Sequence, residues 1–168
     1  MDIDQVRDGS EAVVRRFVAA MGQDIDTMFD CLSDGFVRLG SETGWLPMSK
    51  ATYRRMAENF RTPFPDCRWD PTLVVADGSR VAVELVESGT FSHPWTIGDV
   101  TVEPNGVRYE MHGATFFEVD DAGLISSYRY VHTGAFTEVY AGVMTDEFYV
   151  AYAEEFFGPD ADTSEAGA

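Results

Sequence analysis

The chain has 168 residues, of which 45% are hydrophobic and 13% aromatic. This length and composition predict one domain with a packed core and exclude a disordered protein. With 12 basic and 29 acidic residues the formal net charge is −17, which argues against nucleic acid and anionic membranes as partners because their phosphates are repelled.

The two cysteines and the absence of a long apolar run bear on the compartment. Cys31 and Cys67 are 36 positions apart and form no C-x-x-C pair, which favours a reducing compartment. No apolar run approaches the roughly 18 residues of a membrane span, and the first ten residues are polar. We therefore expect a cytoplasmic protein.

The first third of the chain has apolar residues spaced every three to four positions, which predicts helices. Ser10 and Ser49 are suited to cap two of these helices, and Gly22 to end the first. In chain order, the predicted elements are a helix over 11–22, a short helix over about 25–33, a strand over 36–39, a loop from 40 to 48 and a helix over 50–60.

After the breaker segment 62–66 the apolar period changes to two, which predicts strands. The predicted strands are about 67–76, 80–91, 107–119 and 124–132. The link 92–106 is too long for a tight hairpin and is expected to form a pocket rim. A last helix is predicted over about 135–157, and the acidic residues 159–168 are expected to be a flexible tail after a single domain, 1–158.

Helices followed by long antiparallel strands predict an α+β fold. We expect a curved, mostly antiparallel sheet that forms a cone, with the N-terminal helices over its concave face. Such a sheet encloses a deep cavity, and deep cavities are the usual ligand sites.

Several segments in this order resemble the SnoaL-like and ketosteroid-isomerase-like families of the nuclear-transport-factor-2-like superfamily. The similar segments are 13–21 (VVRRFVAAM), 24–29 (DIDTMF), 32–34 (LSD), 64–66 (FPD), 75–83 (VADGSRVAV), 113–119 (GATFFEV) and 122–130 (AGLISSYRY). The resemblance implies a cone fold, often dimeric through the outer sheet face. It also implies acid/base chemistry without a cofactor, as in polyketide cyclases, isomerases, dehydratases and epoxide hydrolases, although the superfamily includes non-catalytic binders.

The catalytic residues of those families are not all present. The polyketide cyclases and epoxide hydrolases place an Asp in the last strand, where this chain has Tyr130. At the Arg-x-Asp pair of the epoxide hydrolases it has Leu85 and Glu87, so only a carboxylate is kept. Phe17 stands at the position of the ketosteroid isomerase Tyr, and Leu39 or Gly40 at that of the general-base Asp. Thr115 stands at the position of the oxyanion-hole Asp.

Alternation along the strands predicts which side chains face the cavity. The more apolar face of 107–119 is expected to be the concave one, and in 80–91 the apolar set ends in an acid. The resemblance places one face of the last strand inward as well. The predicted inner sets are Val107, Tyr109, Met111, Gly113, Thr115, Phe117 and Val119; Val81, Val83, Leu85 and Glu87; and Ser126, Tyr128, Tyr130 and His132.

Glu87 is the first candidate for catalysis, because a carboxylate among apolar side chains loses hydration and can exchange a proton near neutral pH. His132 would be its proton partner, and Tyr130 or Tyr128 would polarise a substrate oxygen. The alternatives are a solvated or Arg-paired Glu87, a hydrogen-bonded core His132 and tyrosines that only pack.

Further residues are expected to line the substrate site, and the remaining histidines give no metal motif. The predicted substrate-binding residues are Tyr128, Thr115, Met111, Trp45, Tyr53 and Phe17. His93 lies in the long link, where it either reaches over the cavity mouth or is exposed. His112 is expected on the outer face, and it enters the pocket if the phase of the strand differs by one residue. The spacing of 93, 112 and 132 is not that of metal ligands, so neither a metal nor a cofactor is predicted.

The sequence therefore favours a cofactor-independent enzyme that acts on a hydrophobic small molecule, in secondary metabolism, by cyclisation, isomerisation, dehydration or epoxide opening. A non-catalytic small-molecule binder of the same fold is the alternative. The partners expected are that small molecule and a second copy of the chain. A third hypothesis is an assembly subunit that uses His112, Ala114 and Phe116 on the outer face.

Overall fold

The computed structural model describes residues 3–41, 44–133 and 144–158. Within these ranges the helices are α1 (Ile3–Ala20), α2 (Ile25–Asp30), α3 (Lys50–Arg61) and α4 (Asp146–Phe157). The eight strands are β1 (Leu32–Gly40), β2 (Met48–Ser49), β3 (Arg68–Asp77), β4 (Arg80–Thr90), β5 (Trp95–Ile97), β6 (Val100–Val102), β7 (Arg108–Val119) and β8 (Ile125–His132).

Six strands form one sheet in the order β2-β1-β8-β7-β4-β3. All neighbours are antiparallel except β1 and β8, which run parallel. The helix α1 packs against β3 and β4, and α3 packs against β1. The α+β fold with helices on a curved, mostly antiparallel sheet is confirmed.

The inward and outward faces of the long strands agree with the alternation in the sequence. On β7, Met111, Thr115 and Phe117 are buried, whereas His112 and Phe116 are exposed. Because β4 and β7 pair along their whole lengths, with Glu87 opposite Met111, the two inner faces join into one apolar wall.

Side-chain hydrogen bonds cap the starts of α3 and α2, whereas one predicted cap is wrong. The Ser49 hydroxyl accepts a hydrogen bond from the Thr52 amide and caps α3 as predicted. The Asp24 carboxylate caps α2 in the same way through the amide of Thr27. The prediction for Ser10 is wrong, because α1 begins at Ile3 and the Ser10 side chain is buried within it.

Two segments differ from the sequence-based expectation. The strand β1 begins at Leu32, where the short helix was still predicted, because Leu32 pairs with Ile125 of β8. The link 92–106 contains the hairpin β5–β6, which turns at Gly98 with a positive φ of 53°. Of the last predicted helix, the part before residue 144 and the tail 159–168 lie outside the described residues.

None of the helices in the described part of the chain is long and apolar enough to cross a membrane.

Candidate functional site

A cavity of about 90 Å³ lies between the helices and the inner face of the sheet. Its wall is mostly aromatic and thioether side chains, with a few ionisable groups from separate strands. The polar groups in the wall include Arg38, Cys67, Glu87, Tyr130 and His132.

Glu87 is the centre of a hydrogen-bonded cluster in this wall. Its side chain lies on β4 and is only 5% exposed. The Tyr109 hydroxyl donates to Oε1 at 2.9 Å, and the Tyr130 hydroxyl donates to Oε2 at 3.1 Å. The two tyrosine hydroxyls thus bind one oxygen each of this carboxylate.

Two glycines make room for these tyrosines. A side-chain carbon on Gly113 would lie 2.7 Å from Cε2 of Tyr130, and one on Gly89 would lie 2.9 Å from Cε1 of Tyr109. Each ring therefore lies over a glycine of its neighbouring strand. Because no Cβ projects at either position, the two hydroxyls can converge on one carboxylate from opposite sides.

Aromatic stacking fixes the Tyr130 ring. Trp69 of β3 stacks on it, with ring centroids 5.2 Å apart and an interplanar angle of 30°. His132 follows on the same face of β8, with its ring centroid 5.6 Å from that of Tyr130. The Nδ1 atom of His132 lies 3.4 Å from the carbonyl oxygen of Thr133. These contacts place Tyr130 between Glu87 and His132.

The Cys67 thiol extends the cluster on the side of Tyr109. Its Sγ atom lies 3.5 Å from the Tyr109 hydroxyl and is buried. Burial, and then the negative charge of Glu87, raise the pKa of this thiol well above its usual range. Cys67 is therefore a neutral thiol at physiological pH and a poor nucleophile.

A permanent positive charge lines another part of the cavity. Arg38 of β1 is 5% exposed. Its guanidinium carbon lies 5.3 Å from the ring centroid of Tyr53 and 5.4 Å from that of Tyr128. Contacts of this geometry are favourable cation–π interactions. The cavity thus holds an acidic and a basic group on different strands.

The structure brings most of the sequence-predicted site residues together. Glu87, His132, Tyr130, Tyr128, Met111 and Tyr53 all lie in the cavity wall. Their roles in catalysis or binding stay predictions.

Three predicted substrate-binding residues lie elsewhere. Thr115 and Phe17 are wholly buried but are not part of the cavity wall, and the Phe17 ring packs edge-on against Phe117 and Tyr128. Trp45 is 49% exposed, on a loop where its own φ is +67°. None of the three lines the cavity described above, and their role in substrate binding stays a prediction.

Sequence reasoning missed Arg38, Tyr109, Cys67 and Trp69 as site residues. Tyr109 is on the predicted inner face of its strand, so its parity could have indicated it. Arg38 lies in the predicted strand 36–39, where a single charged residue among apolar neighbours was the available indication. Cys67 lies just before β3 and Trp69 is near its start. The sequence does not predict which strands or rings these two side chains will contact.

The remaining histidines lie away from this cluster. His93 is exposed, with Nδ1 3.1 Å from the Ser92 hydroxyl. His112 is exposed on the outer face, 3.5 Å from the Glu110 carboxylate. Among residues 3–41, 44–133 and 144–158, no three His, Cys, Asp or Glu side chains are grouped as metal ligands.

Residues 14–128 match the family model of the SnoaL-like domain. Because the match covers more than half of the chain, the chain belongs to the SnoaL-like domain family, as its sequence pattern predicted. A search of curated proteins finds no significant match.

Solved structures share the fold at low sequence identity. A candidate SnoaL-like polyketide cyclase from Jannaschia is 18% identical with a TM-score of 0.68, covering 84% of this chain and 98% of its own. A phenazine biosynthesis-related protein from Pseudomonas aeruginosa is 22% identical (TM-score 0.65; coverage 86% and 92%). An epoxide hydrolase of the LEH-like type from M. tuberculosis is 18% identical (TM-score 0.61; coverage 82% and 86%). At these identities the similarity concerns the fold.

Proposed function

We propose that this protein is a cofactor-independent enzyme that acts on a small hydrophobic molecule by general acid/base chemistry. The observation that carries the proposal is Glu87, a buried carboxylate in an apolar cavity, held by two tyrosine hydroxyls. Isomerisation, dehydration, cyclisation and epoxide opening all need such a group to take up and return a proton.

The geometry supports one order of events. Glu87 takes a proton from a carbon or hydroxyl of the substrate. The electron pair moves onto a substrate oxygen, which is stabilised by a hydrogen bond from the Tyr128 hydroxyl, or from the Tyr130 hydroxyl once it turns away from the protonated Glu87. The proton then returns to a different atom, or a hydroxyl leaves with it as water. His132, half-buried in the same wall, would exchange the proton with solvent.

The similar structures support small-molecule chemistry of this kind, since their names include a polyketide cyclase, an epoxide hydrolase and a phenazine biosynthesis-related protein. We therefore propose a role in secondary metabolism in the cytoplasm. We also propose a homodimer through the outer sheet face, where Phe116, Val131 and Val37 are exposed on the adjacent strands β7, β8 and β1.

A non-catalytic binding protein is the second candidate. Both oxygens of Glu87 already accept a tyrosine hydrogen bond, and Tyr130 stands where the polyketide cyclases and epoxide hydrolases are expected to have an Asp. Such a cluster also suits a carrier that orients a bound ligand without transforming it. This candidate predicts affinity without turnover.

The deciding experiment compares Glu87→Gln with Glu84→Gln. Glu84 lies on the same strand but is exposed on the other face, so it is a matched control. Both variants are assayed against unsaturated ketones, β-hydroxyketones, epoxides and poly-β-ketone thioesters, with thermal unfolding as a check of folding. We expect Glu87→Gln to lower kcat/KM by about 100-fold or more while Glu84→Gln leaves it unchanged.

Two results would contradict the proposal. A folded Glu87→Gln protein with wild-type turnover removes Glu87 from the chemistry. Tight binding of a ligand from this panel with no turnover by the wild type favours the carrier instead.

A further inference from the structure

We propose that this cavity selects ligands of about the size of one six-membered ring, and that Tyr152 of helix α4 is the residue that excludes larger ones. The inference deepens the proposed function and rests on it for the identity of the site. It starts from the volume of the cavity and from the unequal rigidity of the side chains around it.

The cavity is small for a ligand site. Its volume is about 90 Å³, whereas pockets that hold drug-sized ligands measure roughly 300–1,000 Å³. An apolar cavity of roughly 150 Å³ in another protein holds one benzene ring. A single ring therefore needs only a modest expansion of this cavity, but two or more fused rings need part of the wall to move away.

One part of the wall can adjust to a ligand. It contains four methionines, Met21, Met28, Met56 and Met111. A methionine side chain is unbranched and has three rotatable bonds, so it changes its shape at low cost and fills irregular space. We expect these side chains to supply the expansion that one ring requires.

The part of the wall that α4 supplies is rigid. Tyr152 is 3% exposed and lines the cavity. Four other rings surround its ring at centroid distances of 4.9 to 6.4 Å, those of Trp95, Phe148, Phe156 and Phe157. Because protein interiors are close-packed, the Tyr152 ring cannot retreat without disturbing all four neighbours.

Trp95 of β5 supports this part of the wall from behind. It is wholly buried, and its Nε1 atom donates a hydrogen bond of 2.7 Å to Oδ1 of Asn59 in α3. Its ring contacts Tyr152 and also Phe60, which lines the cavity as well, at centroid distances of 5.7 and 5.5 Å. The two wall rings therefore share one fixed support, and a ligand that displaces either ring has to displace Trp95.

Helix α4 lies outside residues 14–128, the part of the chain that matches the SnoaL-like domain model. The size limit that Tyr152 sets is therefore a feature of this chain and not of the matched domain. It also follows that the cavity can be enlarged at Tyr152 without changing Glu87, its tyrosine partners or any strand of the sheet.

The test measures binding to two pairs of neutral probes, each with one ring or two fused rings and the same polar group. The pairs are cyclohexenone with octalone, and phenol with naphthol. Chemical shifts of the methionine methyl groups report binding at the cavity wall. We expect the wild type to bind each one-ring probe at least about tenfold more tightly than its partner, although the larger molecule has more apolar surface to bury.

Variants locate the limit at Tyr152. Tyr152→Ala should bind the two-ring probes at least about tenfold more tightly than the wild type does, and the one-ring probes about equally. Tyr152→Phe keeps the ring and should keep the wild-type preference. Val150→Ala, at an exposed position of α4, should also leave the preference unchanged. If Tyr152→Ala does not fold, Tyr152→Leu, which keeps an apolar side chain, should show the same gain in smaller measure.

The inference is overturned if the wild type binds two-ring probes as tightly as one-ring probes, or binds no one-ring probe at up to about 10 mM. It is also overturned if a folded Tyr152→Ala or Tyr152→Leu protein gains no affinity for the larger probes. Because the readout is binding, it is independent of turnover. If the size preference is found but Glu87→Gln keeps wild-type activity, only the proposed function fails. If Glu87→Gln is inactive and both probe sizes bind alike, only the role of Tyr152 fails.

Discussion

Replacing Gly113 by alanine should detach Tyr130 from Glu87. The new Cβ would lie 2.7 Å from Cε2 of Tyr130 and 2.9 Å from the backbone oxygen of Val131. Ordinary contacts begin at 3.4 Å, so the Tyr130 ring has to retreat by about 0.7 Å. The second contact is with the backbone of β8 itself, which cannot move cheaply.

The magnitude of the effect follows from these distances. The hydrogen bond from Tyr130 to Glu87 is 3.1 Å long, and a retreat of about 0.7 Å takes it beyond hydrogen-bonding range. A hydrogen bond to a charged group contributes about 1.5–3 kcal/mol, and overpacking a core costs about 1–3 kcal/mol. We expect Gly113→Ala to lower the free energy of unfolding by about 2.5–6 kcal/mol and to reduce turnover.

Urea unfolding measures this change, with Gly35→Ala as the control. Gly35 also lies in a strand, but a Cβ there meets nothing within 4 Å, so this variant should cost much less. Tyr130→Phe removes the hydroxyl without adding an atom and should cost less than Gly113→Ala. If Gly113→Ala is as stable and active as Gly35→Ala, the argument that glycine positions Tyr130 is refuted.

Three other predictions concern stability and assembly. Thr115→Val should leave the free energy of unfolding in urea unchanged or raise it by about 1 kcal/mol. The reason is that the buried Thr115 hydroxyl has no hydrogen-bond partner among the described residues. A clear loss of stability would contradict this. Burial raises the pKa of Asp66, but hydrogen bonds from the Thr90 amide and hydroxyl, both 2.7 Å, outweigh it and leave that pKa lowered. The resulting stability is present above the unfolded-state pKa and is lost as the pH falls through the folded-state pKa. Asp66→Asn should therefore flatten the acid limb of a curve of stability against pH, and an unchanged limb would contradict this. Ala114→Asp should halve the mass measured by light scattering if the outer face around Phe116 joins two copies, and a wild-type monomer would refute that dimer.

The local pattern of the sequence determined the faces of the sheet. The alternation in 80–91 and 107–119 identified the buried sides of β4 and β7, because side chains alternate with a period of two whatever the strand pairs with. It therefore placed Glu87 among apolar side chains and His112 outside. The caps and breakers gave most element boundaries for the same reason, since they act over a few residues.

Only the tertiary structure decided which inward side chains meet. Strand parity says that Tyr109 and Glu87 both face inward, but their contact depends on the register of β4 against β7 and on Gly89 beneath the ring. Arg38 reaches the cavity because β1 pairs in parallel with β8, a connection that no local pattern specifies. Pairing between strands far apart in sequence is fixed by the packing of the whole core. The cluster around Glu87 therefore forms only on folding, whereas the buried face of each long strand is determined by the local sequence.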